Sequence, residues 1–132
     1  MSRDESTIRR GNLKTEGEAL SYEMAATAAR AASEMFAKGV TVVDLRRLVS
    51  YTDYFVIASA ETERQTRRVA EEVIERMIQN GHRPRSKRIQ EGTAWISLDF
   101  LDVVVHIFTD EARDYYRLES LWRSAPQERW AG

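Results

Sequence analysis

At 132 residues, with 42 % hydrophobic and 31 % charged side chains, the chain has the size and composition of one ordinary globular domain, not of a fibre or a disordered tail. Twenty basic against 21 acidic side chains leave a formal net charge of -1, so no whole-protein field draws the chain onto nucleic acid, and any such contact must come from a local patch. With no cysteine, a disulfide framework, a thiolate metal site and a cysteine nucleophile are excluded. No apolar run approaches the ~20 residues of a membrane span and no signal-peptide core opens the chain, which makes the cytoplasm the expected location and leaves no membrane role.

Residues 1–18 mix charges without an apolar period and read as a mobile leader, residues 19–126 as the domain, and residues 127–132 as a short C-terminal tail. Leu20, Met24, Ala28, Ala31, Ala32, Met35 and Phe36 recur at helical spacing and predict a first helix that Gly39 ends. The segments "VTVVDL" (40–45) and "YFVIAS" (54–59) are rich in β-branched and aromatic residues; the second is apolar on both alternating faces, as a central strand covered on both sides would be. "TERQ" (62–65) matches a capping box, Thr62 accepting from the Gln65 amide while the Gln65 side chain returns to the Thr62 amide. The helix it opens should bury Thr66, Val69, Ala70, Val73, Ile74, Met77 and Ile78 and end at Asn80-Gly81.

After Pro84, "RSKRIQEG" (85–92) reads as a charged edge strand. In "WISLDFLDVVVHIF" (95–108), a turn at Leu101-Asp102 pairs residue 100 with 103, 98 with 105 and 96 with 107. One face then holds Ile96, Leu98, Phe100, Val103, Val105 and Ile107, and the other Trp95, Ser97, Asp99, Val104, His106 and Phe108. A last helix over 109–122 carries acids in its first turn and a stripe of Ala112, Tyr115, Leu118 and Trp122, closed by Pro126. The order αββαβββα describes a single α/β domain, a mixed sheet of about five strands flanked by helices.

Proton transfer or metal binding would be sought first at Asp99, Asp102 and His106, but in this register Asp102 sits in the turn and the three do not converge. His106 is better read as a sheet histidine hydrogen-bonded to a neighbour such as Ser97 or Asp99, and His82 as a loop residue. The usual phosphate-cradle and hydrolase signatures are missing, and no cofactor or metal is expected. Arg83, Arg85, Lys87 and Arg88 put four cations in six residues; they serve either to touch phosphate or to protect a strand edge. Among the aromatics, Tyr115 and Trp122 read as core on the helix stripe. Trp95, Phe100 and Tyr116 are open to two readings, core packing or part of an exposed interaction patch.

The runs "TDYFVIASAETERQ" (52–65), "EGTAWISLDFLDVVVHIF" (91–108) and "EARDYYRLESLW" (111–122), in this order and at these separations, resemble the ribosomal silencing factor family, also called RsfS or Iojap, over about residues 20–126. The resemblance implies a non-catalytic repressor of translation. It would bind the large ribosomal subunit through large-subunit ribosomal protein fourteen, keep the small subunit from joining when nutrients run short, and form a homodimer when free. It implies a fold akin to nucleotidyltransferases without their activity: the turn corresponding to their Gly-Ser reads Ser59-Ala60-Glu61-Thr62, and Asp99 and Asp102 stand three apart where an Asp-x-Asp pair would be needed. Carried over by position, the docking residues are Trp95, Phe100 and Tyr116; the charge of Arg83, Arg85, Lys87 and Arg88, and not the resemblance, adds them as expected rim or ribosomal RNA contacts. The family usually has glycine at the positions of Ala60 and Leu101; leucine disfavours positive φ, so a different turn and a shifted register, moving Phe100, are expected at the hairpin. Two other classes remain open at this level, a nucleotidyltransferase-like metal enzyme and a general RNA-binding adaptor.

Overall fold

The computed structural model describes residues 16–90 and 94–130. Helix α1 (Glu16–Glu34) is rich in alanine, and Ala25, Ala28, Ala29, Ala31 and Ala32 are wholly buried, their small side chains letting the helix backbone lie close to its neighbours. It begins inside the expected leader, and Gly39 does not end it. Phe36 takes the left-handed conformation (φ 66°), and the Ala37 and Phe36 amides donate to the Ala32 and Ser33 carbonyls at 3.0 Å each, the bonds that close a helix C-terminus. Phe36 is therefore exposed, and Leu20, in the first turns of the helix, is exposed as well, so neither is part of the buried stripe.

Strands β1 (Lys38–Asp44) and β2 (Tyr54–Ala60) follow, antiparallel to each other, and every residue of β2 is buried. Helix α2 (Glu63–Gln79) starts as a capped helix: Thr62 Oγ1 accepts from the Gln65 amide at 3.1 Å, although Gln65 Oε1 returns to the Glu61 amide (3.2 Å) and not to that of Thr62. Thr66, Val69, Ala70, Val73 and Met77 are buried, while Ile74 and Ile78 are only partly covered. Gly81, at φ 88°, lets the chain reverse while its amide and that of His82 donate back to Ile78 and Met77.

Then come β3 (Ser86–Gln90), β4 (Trp95–Asp99), β5 (Val103–Thr109), α3 (Asp110–Tyr116), α4 (Leu118–Leu121) and β6 (Gln127–Arg129). The sheet has six strands in the order β3-β4-β5-β2-β1-β6, with β2 and β5 parallel and the other pairs antiparallel. Residues 127–129, expected in a tail, thus add an edge strand against Thr41–Val43. One sheet face, with Val42, Val56, Leu98, Val105 and Ile107, packs on α1 and α2; the other, with Val43, Phe55, Ile57 and Phe108, packs on Ala112, Leu118 and Trp122. Each wholly buried isoleucine or leucine in these layers contributes about 1.5–3 kcal/mol relative to exposure. Among the described residues, no helix is long and apolar enough to cross a membrane.

The hairpin keeps the expected register, with Ile96 opposite Ile107 and Leu98 opposite Val105. Its turn is a tight one: Leu101 sits at φ 76°, and the Asp102 amide donates to the Phe100 carbonyl at 3.0 Å, closing a three-residue turn whose central residue is left-handed. The shift of register anticipated from leucine does not occur. A slip of one residue would turn Ile96, Leu98 and Phe100 out of the α1/α2 core, far more than the ~1–3 kcal/mol that one left-handed leucine costs. Asp99 Oδ1 also accepts from the Leu101 amide at 2.8 Å, and the Asp102 carbonyl accepts from the Asp53 and Tyr54 amides, which ties the turn to the start of β2.

Candidate docking surface

The cross-strand pairs Trp95–Phe108 and Ser97–His106 set four side chains on the face of β4 and β5 away from α1 and α2. Trp95 is half-buried, its ring centroid 4.8 Å from that of Phe108 and 4.8 Å from that of Tyr116. Its indole N–H donates to His106 Nδ1 at 3.1 Å, and Ser97 Oγ lies 3.3 Å from the same nitrogen. Since an indole nitrogen is only a donor, Nδ1 is the bare nitrogen and the ring proton is on Nε2, which is buried without a hydrogen-bond partner and belongs to a ring set edge-on to Phe55 at 4.5 Å. Burial disfavours the imidazolium and pushes the His106 pKa down to about 4. A neutral histidine therefore holds the tryptophan in one orientation.

The last helical segment does not run as one helix. Arg117 adopts φ 51°, ending α3 and starting α4, so the 3.6-residue stripe expected through Ala112, Tyr115, Leu118 and Trp122 breaks between its second and third members. Ala112, Leu118 and Trp122 still face the sheet, whereas Tyr115 is 80 % exposed and Tyr116 packs inward on Trp95. Tyr115 stands edge-on to Tyr116 at 5.0 Å, and both line an open groove of about 340 Å³ with Ala94, Thr109, Glu111 and Ala112. The segment is stapled by Arg113, whose guanidinium donates to Glu119 Oε2 (2.9 Å), the Lys38 carbonyl (3.1 Å) and Ser59 Oγ (3.3 Å).

Of the three docking residues expected from the resemblance, the fold brings Trp95 and Tyr116 together and separates Phe100 from them. Phe100 is 5 % exposed and belongs to the core on the α1/α2 face, because strand alternation sends residue 100 to the side opposite 95 and 99. Tyr115, read as core, is instead the most exposed aromatic of the face: the inward side of α3 runs from Ala112 to Tyr116, four residues on, which leaves Tyr115 outside. The basic cluster is divided as well. β3 is an edge strand, Arg85 is paired with Asp99 at 3.0 Å, Lys87 lies opposite Leu98 on the α2 side, and Arg88 lies opposite Ser97 on the Trp95 side. Arg83 is exposed in the loop before β3.

The carboxylates and imidazoles do not form a reaction centre. Asp99 is bonded to Arg85 and the turn, Asp102 is exposed in the turn, His106 faces Trp95 and Phe55, and His82 follows α2 in a loop. Among the described residues no three histidine, aspartate or glutamate side chains are placed to hold a metal ion. In the turn before α2, where a phosphate cradle would be sought, the Glu61 amide donates to the Gln65 side chain and the Gln65 amide to Thr62 Oγ1.

The sequence profile described as "Ribosomal silencing factor during starvation" matches residues 18–131. The chain belongs to this ribosomal silencing factor family. A silencing factor from Bacillus subtilis is 31 % identical over 99 residues, covering 75 % of this chain and 84 % of its own, and the chloroplastic protein Iojap of Zea mays is 36 % identical over 113 residues, which are 83 % of this chain and 47 % of the maize protein. A crystal structure of a Chromobacterium violaceum protein superposes with a TM-score of 0.75 at 26 % identity, covering 84 % of this chain and 92 % of that one. A second, from Bacillus halodurans, gives 0.71 at 28 % identity over 83 % and 99 %. The family profile reaches beyond residue 126 to include β6, in keeping with its place in the sheet.

Proposed function

We propose that this chain docks on the large ribosomal subunit through large-subunit ribosomal protein fourteen, using the face built on Trp95 and Tyr116, and keeps the small subunit from joining, so that translation falls when nutrients are limiting. The family's name supports the class of work, ribosome silencing by a regulatory factor. The observation that carries the choice of face is the half-buried Trp95 ring, fixed by His106 and flanked by Tyr116, Phe108 and the exposed Tyr115. Rigid aromatics beside a groove, with a polar rim, are the usual centre of a protein interface. A footprint of about 800 Å² per partner suffices for stable docking, and the bulk of the domain then occupies space that the small subunit requires. No bond is made or broken.

Within this reading Phe100 acts from beneath, holding the hairpin, and Trp95, Tyr116 and Tyr115 make the contact. Arg88, on the same side as Trp95, is the rim cation best placed to meet ribosomal RNA or acidic protein surface; Arg85 and Lys87 contribute less because of the Asp99 pair and the opposite face. A homodimer in the free state belongs to the same proposal.

Co-sedimentation with isolated large and small subunits tests it. The wild type is expected to travel with the large subunit and to lower the joined-ribosome peak; Trp95→Ala with Tyr116→Ala, checked for native fold, should lose both effects, each truncation removing about 2 kcal/mol or more. Sedimentation with neither subunit, or an undiminished effect in the double variant, would overturn the reading.

A further inference from the structure

A second aromatic is displayed on the helical side of the molecule, away from Trp95. Phe36 is 82 % exposed and left-handed, a conformation that an aromatic side chain disfavours, in a position where glycine is the ordinary choice. It lines an open groove of about 450 Å³ with Met35, Thr62, Arg64, Gln65 and Arg68. Arg64 and Arg68 are exposed, lie one helical turn apart on α2, and make no ion pair or hydrogen bond among the described residues. Like charges at this spacing repel. Three locally unfavourable choices, a strained backbone, a bare phenyl ring and an unneutralised arginine pair, thus meet at one groove, the pattern that functional sites show and structural ones do not.

We propose that this groove takes an unpaired RNA nucleotide, its base stacked on Phe36 and its flanking phosphates held by Arg64 and Arg68. The ring has no polar handle with which to select a protein hydrogen-bond partner, but every base offers a π-face, and guanidinium groups match phosphate oxygens in pairs. The volume lies within the range of small-ligand sites. With a whole-chain charge near zero, RNA contact needs such a local patch. That the RNA is ribosomal rests on the docking reading above; the stacking chemistry does not.

Fluorescence anisotropy with a labelled, unstructured oligouridylate tests the site, with a duplex RNA and an acidic peptide as competitors and the large-subunit co-sedimentation run in parallel. The wild type should bind the single strand at low salt and prefer it to both competitors. Phe36→Gly removes the ring and gives the left-handed position to the residue that adopts it freely, so its melting temperature should hold or rise while RNA affinity falls by about fivefold or more. A merely structural Phe36 would not separate stability from binding in this way. Arg64→Gln with Arg68→Gln should flatten the log–log salt dependence by about 1.4, at ~0.7 per lost phosphate contact. Trp95→Ala should leave oligouridylate binding unchanged while losing co-sedimentation, so the two proposals fail separately. Absence of single-strand binding by the wild type, undiminished binding by Phe36→Gly, or equal or stronger competition by duplex or acidic peptide would each overturn the nucleotide site.

Discussion

Acidification should destabilise this protein through a single buried group, His106. In the unfolded chain the imidazole protonates near pH 6.5, whereas in the folded state burial holds its pKa near 4, so between these values the unfolded state binds more protons and stability falls as pH falls. Above about pH 7.5 neither state is protonated and there is no effect. At pH 5 the unfolded histidine is almost wholly charged while the folded one is still mostly neutral, which removes about 2 kcal/mol; by pH 3 the loss levels off near 3 kcal/mol. Urea denaturation followed by circular dichroism at pH 7.5 and pH 5 measures this. His106→Leu supplies the reference: it strands the Trp95 indole N–H and lowers stability at pH 7.5 by about 1–3 kcal/mol, but it deletes the titration, so the deficit shrinks as the pH falls. Every other ionisable group is common to the two proteins and cancels in the difference. The wild type should lose about 2 kcal/mol more than His106→Leu on going to pH 5. Equal losses in the two proteins would refute the argument that His106 is held neutral by burial.

Leu101→Gly should raise the melting temperature by ~2–4 °C, about 1 kcal/mol net, because glycine adopts φ 76° freely while its larger unfolded-state entropy and the loss of a half-exposed leucine take back part of the gain; a lower melting temperature would count against the strained turn. Phe100→Ala should cost about 3–5 kcal/mol of stability by emptying the α1/α2 core, and at temperatures where the variant stays folded it should sediment with the large subunit far better than Trp95→Ala does. Gly39→Ala places a Cβ 2.8 Å from an Arg113 guanidinium nitrogen at a residue with φ 56°, so it should destabilise by about 1–3 kcal/mol, and by less when combined with Arg113→Ala, which removes the clash but not the backbone strain; a thermal-denaturation double-mutant cycle reads the difference. Asp99→Asn should release Arg85 and cost no more than about 1 kcal/mol, a surface-pair loss that urea midpoints detect.

What the sequence determined by itself is everything that follows from period and local chemistry. β2 is central because "YFVIAS" is apolar on both faces, and the order of the first seven elements stands. The hairpin register is dictated by two alternating sets of side chains, strongly enough to hold leucine in a left-handed turn. Thr62 caps α2 as its spacing with Gln65 indicates, and residues 95–99 and 103–108, within the runs that carried the family resemblance, lie on the two strands that the pattern assigned them.

Tertiary structure decided the rest, at two positions through a backbone conformation that no residue type announces. Phe36 and Arg117 are ordinary side chains in left-handed conformation; the first ends α1 three residues before the glycine that the pattern favoured, and the second splits the last helix, while the packing of Tyr116 on Trp95 leaves Tyr115 outward. Strand alternation, once the sheet is layered, buries Phe100 and leaves Trp95 with Tyr116. Short C-terminal strand β6 exists because β1 offers it an open edge, not because Gln127–Arg129 has strand character of its own. The juxtaposition of Phe36 with Arg64 and Arg68 joins residues about thirty positions apart, a distance over which sequence period carries no information and only packing of α1 against α2 does.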